Sequence, residues 1–301
     1  TVVTDDEIAR SGKTSVVASF AALAERVAMA DCDVDAADLH LVLDPSVLER
    51  RSFQGGKKAF VDASKCASCG ACEKLCRFGA IRRSSGDTGA PFEVDENGCK
   101  GCGVCVDHCP EKAIELVASG GGDWFVSATR HGPMAHARLG IAEENSGKLV
   151  SLVRREGEAL AALEGRALLV CDGSPGIGCP VISSLTGARF ALIVTEPTIS
   201  GLHDFERVAA LSRQLGVRAG ACINKADLNL EMSARIEAAA ASQGVPVLGR
   251  IRYDDAVTAA QVRRRAVVED GSGPAAKDIR ALWEVTASRM QSRSTTGGSN
   301  R

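Results

Sequence analysis

The stretch EIARSGKT, Glu7 to Thr14, lies between a short apolar run, Val2-Val3, and an apolar helical stretch from Lys13 to about Arg26. Its last three residues, Gly12-Lys13-Thr14, are the end of a phosphate-binding loop. A complete loop reads Gly, four residues, Gly, Lys, Ser/Thr. Its backbone amides cradle phosphates, its lysine neutralises their charge and its hydroxyl holds Mg²⁺. Here Glu7 stands where the first glycine belongs. A lone GKT is a weak signal. The fold therefore turns on whether the rest of the chain supplies the other parts of such a site.

Those parts occur, and in order. A second apolar run, VAMAD, ends at Asp31 and opens into DCDVDAADLH with Asp33 and Asp35. The run ALLVCD ends at Asp172, where a Walker-B-type acid would stand, and leads into GSPGIGCP. A later run ends in NKAD, Asn224 to Asp227, like a base-recognition segment. Each alone reads more readily as a solvated strand-end acid or a turn asparagine. Their common position at strand ends, in this sequence, is harder to dismiss.

From Asn145 onward, short apolar runs alternate with helical stretches: Ala167–Asp172, Phe190–Thr195, Arg218–Asn224 and Val245–Ile251, with a helix over Glu231–Gln243. Near-continuous hydrophobicity suits strands buried on both faces. Alternation with helices predicts an α/β fold with a mostly parallel sheet, helices on both faces and right-handed crossovers. Between about Ala63 and Ala118 the pattern breaks into a cysteine-rich segment. SGGGD, Ser119 to Asp123, then reads as a flexible exit. WFVSATRHGPMAHARL reads as two strands around a Gly-Pro turn. The expected organisation is a P-loop domain over 1–61 and 119–290, an inserted domain over 62–118, and a polar, disordered tail over 291–301.

Twelve of the 301 residues are cysteine, and eight of these fall in two tight motifs. CASCGACEKLC places Cys66, Cys69, Cys72 and Cys76 at C-x2-C-x2-C-x3-C. CKGCGVCVDHCP repeats it with Cys99, Cys102, Cys105 and Cys109, followed by Pro110. This is the bacterial two-cluster ferredoxin spacing, in which the fourth cysteine of each motif ligates the other cluster. Cys66, Cys69, Cys72 and Cys109 are expected to hold one [4Fe–4S] cluster, and Cys99, Cys102, Cys105 and Cys76 the second. Zinc or disulfides are the alternatives, and the repeated four-cysteine spacing disfavours both. Thiolate ligands imply a reducing, cytoplasmic location. Arg77 replaces the proline that usually follows the first motif.

The bulk numbers exclude several classes of partner. A formal net charge of -2 and 25% charged residues argue against nucleic acid or an anionic membrane recognised by bulk charge. No apolar run approaches the ~18 residues that span a bilayer. The start, TVVT, has neither a methionine nor a basic region, so no signal peptide is expected.

ADCDVDAADLH, HARLGIAEENSGKLV, CDGSPGIGCPVI, TEPTISGLHD, NKADLN and GRIRYD resemble segments of the MinD/ParA-like P-loop ATPases that carry an inserted ferredoxin domain. The resemblance implies two [4Fe–4S] clusters, ATP and Mg²⁺ as cofactors. It implies Gly12 and Lys13 at the β/γ-phosphates and Thr14 at the Mg²⁺. Asp33 would place the attacking water, Asp31 would support the Mg²⁺ shell, and Asp172 would reach the metal through water. Gly176 would lie near the γ-phosphate, and Asn224 and Asp227 would face the adenine. Such roles amount to positioning water and neutralising charge.

The chain departs from that family in the loop itself. Where members carry S-G-K-G-G-T-G-K-T, it reads Asp6-Glu7-Ile8-Ala9-Arg10-Ser11-Gly12-Lys13-Thr14. Ile8 replaces the lysine that reaches across the dimer. A non-glycine residue held at positive φ costs on the order of 1–2 kcal/mol. Nucleotide affinity and hydrolysis below the family norm are therefore expected. Cys171 and Cys222 read as small core residues. Cys179 lies at the offset from Asp172 at which the related nitrogenase iron protein bridges a cluster between subunits, which implies a further metal site there.

The function expected is an iron–sulfur ATPase that couples ATP to electron transfer or to metal-cluster delivery. It would act as a homodimer, or as a heterodimer with a related ATPase, on a redox or metalloprotein client. The alternatives are a non-hydrolysing ferredoxin-type electron carrier on a degenerate ATPase fold, and a scaffold for assembling iron–sulfur or other metal cofactors.

Overall fold

A computed structural model describes residues 2–3, 12–84, 87, 89–140 and 146–291. The elements in chain order are β1 (Val2–Val3), α1 (Lys13–Leu23), β2 (Val27–Asp31), α2 (Leu39–Leu43), β3 (Ser46–Val61), α3 (Ala71–Leu75), β4 (Ile81–Arg83) and β5 (Phe92–Val94). They continue with α4 (Val104–Asp107), β6 (Ile114–Thr129), β7 (Gly132–Leu139), α5 (Ser146–Leu163), β8 (Leu168–Asp172), α6 (Cys179–Leu185), β9 (Ala191–Thr195) and α7 (Ile199–Gln214). Last come β10 (Ala219–Asn224), α8 (Leu230–Ser242), β11 (Val247–Ile251), α9 (Ala256–Val262), α10 (Val267–Asp270) and α11 (Pro274–Gln291).

The chain divides into two compact units, one of residues 1–51, 124–138 and 146–301, the other of 52–123 and 139–145. The main sheet has the strand order β11-β10-β9-β1-β8-β2-β7-β6-β3. Its pairings from β11 through to β7 are parallel. Parallel neighbours need crossovers, and helices supply them on both faces. β9 shows why. Leu192 and Val194 join one apolar cluster, with Val17 and Phe20 of α1 and Ile279 of α11. Ala191 and Ile193 join another, with Val181 and Leu185 of α6 and Phe205 and Val208 of α7. Side chains of a strand alternate between faces, so a run with no polar residue must be covered twice. α1 is apolar nearly all round and buried from Val16 through Ala21, the central helix of the first unit. α7 and α8 begin on side-chain caps: Thr198 Oγ1 accepts from Gly201 N at 2.9 Å, and Asn229 Oδ1 from Met232 N at 3.0 Å.

The second unit is small. β4 and β5 pair antiparallel, Ile81 with Val94 and Arg83 with Phe92. Its core is Ala59, Ile81, Phe92, Cys105 and Ile114, with the other cysteines of both motifs except the exposed Cys69 and Cys102 packed against it. None of the chain's twelve cysteines is in a disulfide.

Two readings of the sequence are corrected, and one strand is added. SGGGD is not a flexible exit but the middle of the 16-residue strand β6. A Cβ on Gly121 would lie 2.8 Å from the Gly55 Cα, so glycine permits a close approach of two backbones. The turn before β7 falls at Arg130-His131, and Gly132-Pro133 opens the strand. Thr129 Oγ1 closes that turn by accepting from His131 N at 3.1 Å and Gly132 N at 3.2 Å. Finally, β3 lies in a region assigned no strand. Its residues from Ser46 to Ser52 are all exposed, so no hydrophobic alternation announced it.

Candidate functional site

The acidic residues converge because β2 and β8 are parallel neighbours, with Asp31 opposite Asp172. Their C-terminal ends face the first turn of α1. Ligands of open α/β sheets bind in this position. Lys13, though 5% exposed, donates from Nζ to Asp33 Oδ2 at 2.9 Å and to the Gly173 carbonyl, and lies 3.6 Å from Asp172 Oδ1. Thr14 Oγ1 donates to Asp172 Oδ2 at 2.8 Å. Asp31 accepts from the backbone instead: Oδ1 from Asp33 N and Oδ2 from Leu39 N, each at 3.2 Å. It thereby shapes the loop that carries Asp33.

Charge is crowded here. Burial works against the Lys13 ammonium, but the carboxylates of Asp172 and Asp33 outweigh it and hold Lys13 above its ordinary value. Burial raises Asp172, against the pull of Lys13 and Thr14. Burial, then the charges of Asp172 and Asp33, hold Asp31 well above the usual carboxylate range. One lysine faces three carboxylates. Two of their oxygens, Asp33 Oδ1 and Asp172 Oδ1, are buried without a hydrogen-bond partner. Oxygen donors left over from the protein's own bonding suit a hard cation such as Mg²⁺.

Gly12 caps α1 with φ 75°. A Cβ there would collide with the Asn224 amide, which lies at the end of β10. Gly12 and Asn224 line a cavity of about 180 Å³ with Val16, Tyr253, Val257 and Gln261. Asp227 does not line it; its Oδ1 accepts from Tyr253 N at 2.7 Å and so positions the wall. Tyr253 falls within the GRIRYD segment, which assigns it no role, and Gln261 carries no sequence signal. Gly176 has φ 85° in the loop between β8 and α6. Cys179, the first residue of α6, is exposed and abuts Gly147, where an added Cβ would be 2.9 Å from its own. Among the described residues, no three His, Cys, Asp or Glu side chains converge on one metal ion. The loop residues Asp6 to Ser11 lie outside the described residues, as do 292–301.

In the second unit, one cavity is lined by Cys66, Cys69, Cys72 and Cys109, closed by Phe92, Pro110 and Ile114. Cys109 Sγ accepts from Ala113 N at 3.3 Å, and Cys99 Sγ from Ala59 N at 3.4 Å. Backbone N–H groups aimed at sulfur suit anionic thiolate ligands and tune a cluster's potential.

Residues 59–116 match the 4Fe-4S dicluster domain family. Protein MJ0578 of Methanocaldococcus jannaschii is 30% identical over 204 residues, which are 65% of this chain and 67% of that protein. The fold is similar to that of the cell division ATPase MinD of Pyrococcus furiosus, with TM-score 0.56 and 16% identity over 96% of this chain and 98% of that one. MinD of Pyrococcus horikoshii, solved with Mg-ADP, gives 0.56 and 16% over 95% and 94%. A ParA family ATPase of Chlorobium tepidum gives 0.53 and 17% over 93% and 98%. No helix among the described residues is long and apolar enough to cross a membrane. The chain therefore belongs to the same family as MJ0578, and its own architecture is a P-loop fold of the MinD/ParA type that carries a 4Fe-4S dicluster domain.

Proposed function

We propose that the chain is an iron–sulfur ATPase in which nucleotide state governs electron transfer or cluster delivery to a client. The observation that carries the reading is the cluster of buried Lys13, Asp33 and Asp172 with half-buried Thr14, in which Asp33 Oδ1 and Asp172 Oδ1 accept no hydrogen bond. Thr14 and Asp172 would hold Mg²⁺, which when bound neutralises phosphate oxygens. Lys13, within reach of both Asp33 and Asp172, can trade those partners for phosphate oxygens. Asp33, with Oδ1 unpartnered, orients a water. Asp31 sets the loop that presents Asp33. Gly176 takes the γ-phosphate side. Asn224 faces the base, with Asp227 behind it. Cys66, Cys69, Cys72 and Cys109 would hold one [4Fe–4S] cluster and Cys99, Cys102, Cys105 and Cys76 the other; bound clusters supply single-electron transfer. Cys179, exposed at a helix start, is the residue for a bridging site in a homodimer or a heterodimer with a related ATPase. The client is a redox or metalloprotein and the setting cytoplasmic.

Residues 5–10 favour a second reading, a ferredoxin-type carrier on an ATPase fold that no longer hydrolyses. Glu7, Ala9 and Arg10 stand in sequence where related loops have glycines, and Asp5, Asp6 and Glu7 would bring negative charge towards phosphate. Anaerobic calorimetry of cluster-loaded protein with Mg-ATP separates the two, run beside a variant with residues 5–10 restored to the glycine-rich pattern. Binding by both supports the ATPase. Binding by the restored variant alone supports the carrier, and binding by neither removes the nucleotide reading.

A further inference from the structure

Two cysteines under the acidic end of the sheet take no part in the reading above. Cys32 directly follows β2, between Asp31 and Asp33, and Cys171 precedes Asp172 on β8. Ala30 pairs with Cys171, and Cys32 N donates to the Asp172 carbonyl at 2.8 Å. Alternation puts Cys32 on the face of Ala30, and therefore of Cys171. There the two thiols are hydrogen-bonded to each other. They are 0% and 2% exposed. The Ser174 hydroxyl donates to the Cys32 carbonyl, tying the loop after β8 to the same residue. A cavity of about 730 Å³, bounded by Leu23, Arg154, Phe190, Trp283 and Met290, reaches Cys171 but not Cys32. Pockets of ~300–1,000 Å³ admit small molecules.

We propose that Cys32 and Cys171 are a reversible modification site, forming a disulfide with a low-molecular-weight disulfide that enters by this cavity. Cys171, on the cavity wall, reacts first, as the nucleophile. Its thiolate displaces one thiol from the incoming disulfide and becomes a mixed disulfide. The Cys32 thiolate then attacks the Cys171 sulfur and expels the second thiol. Two protein thiols are oxidised, one small disulfide is reduced to two thiols, and the two protons pass to the departing sulfurs. The new bond draws the sulfurs from hydrogen-bond contact to ~2.05 Å. Because each cysteine is bonded in sequence to a site aspartate, this moves Asp33 and Asp172 relative to Lys13 and Thr14. Burial makes the exchange slower than at exposed Cys179. The consequence for nucleotide rests on the proposed function; the chemistry does not.

The test treats cluster-loaded full chain, without oxygen, with glutathione disulfide. Free thiols are then capped and peptides mapped by mass spectrometry, and hydrogen exchange is followed at Asp33 and Leu39, whose amides bond to Asp31. The expected result is a dithiothreitol-sensitive peptide pair joined through Cys32 and Cys171, with exchange at those amides changed by about fivefold or more. Cys171→Ala abolishes both while Cys179 is still modified. Absence of the joined pair when Cys179 has become a mixed disulfide overturns the proposal, and so does a joined pair with unchanged exchange. Neither readout uses nucleotide. A protein that forms the bond yet binds no Mg-ATP when reduced refutes the proposed function alone, and one that binds Mg-ATP but never forms the bond refutes this inference alone.

Discussion

The Thr14 hydroxyl donates to Asp172 Oδ2 at 2.8 Å across 158 positions of sequence, joining the first turn of α1 to the end of β8. This bond places a neutral oxygen and a carboxylate side by side, the pairing that a P-loop site presents to Mg²⁺. Thr14→Ala is expected to weaken Mg-ATP binding at least tenfold, or about 1.4 kcal/mol. It should also flatten the dependence of affinity on Mg²⁺. Thr14→Ser keeps the hydroxyl and should bind within a few-fold of the parent. Calorimetry at stepped Mg²⁺ reads both, and a Thr14→Ala protein with unchanged affinity would take Thr14 out of the site.

Much of this arrangement was legible in the sequence, for a physical reason. Strands buried on both faces leave continuous apolar runs, and the polar residue that closes such a run marks the end of its strand. Asp31, Asp172 and Asn224 were found by that rule. β3 was not, because its first seven residues are exposed and Glu49, Arg50, Arg51, Lys57 and Lys58 leave it no apolar period. Cys32 escaped notice between two aspartates, where the acids took the reading. Its partner was only a small core residue until the register of β2 on β8 joined them. Folding brings Tyr253 and Gln261 to the Asn224 cavity; the GRIRYD segment contains Tyr253 without marking its role, and no local pattern marks Gln261.

The cysteine cavity carries a sharper test of how the two motifs are interleaved. Cys109 belongs in sequence to the second motif but lines the cavity of Cys66, Cys69 and Cys72. Cys109→Ser should therefore cost the same cluster as Cys66→Ser. The double variant should lose no more iron than either, about four atoms per chain of a starting eight. Combining Cys109→Ser with Cys99→Ser should remove both clusters. Iron analysis and electron paramagnetic resonance on anaerobically prepared protein measure this. If Cys109→Ser and Cys99→Ser prove equivalent, each motif holds its own cluster.

A pH effect is expected from β7. His136 is 8% exposed, stacks on Phe125 at 4.9 Å between ring centres, and pairs through Nε2 with Ser127 Oγ at 2.8 Å. Burial, then the charges of His40 and Arg138, push it down to about 4. In the unfolded chain it takes up a proton near pH 6.5. Between those values the unfolded state binds the extra proton, so stability falls as pH falls through the window. This group adds no further loss below the window, and above it the effect vanishes. The span corresponds to on the order of 3 kcal/mol. His136→Gln, which can still bond Ser127, should flatten the slope of denaturant midpoint against pH between 6.5 and 4. An unchanged slope would place the titration elsewhere.

Gly12 joins stability to binding in one residue. Its φ of 75° opens α1, and a Cβ there would meet the Asn224 amide. Gly12→Ala should cost ~1–2 kcal/mol for the left-handed backbone alone. The collision adds to this unless Asn224 moves, and moving it changes the cavity that would take the base. Relief of the clash and loss of base contact are then the same event. Asn224→Ala in the Gly12→Ala background should recover part of the stability without recovering affinity, whereas independent sites would give additive losses in both. Chemical denaturation and nucleotide calorimetry on the two single variants and the double complete the cycle. Additivity in both measurements would mean that Gly12 and Asn224 act apart.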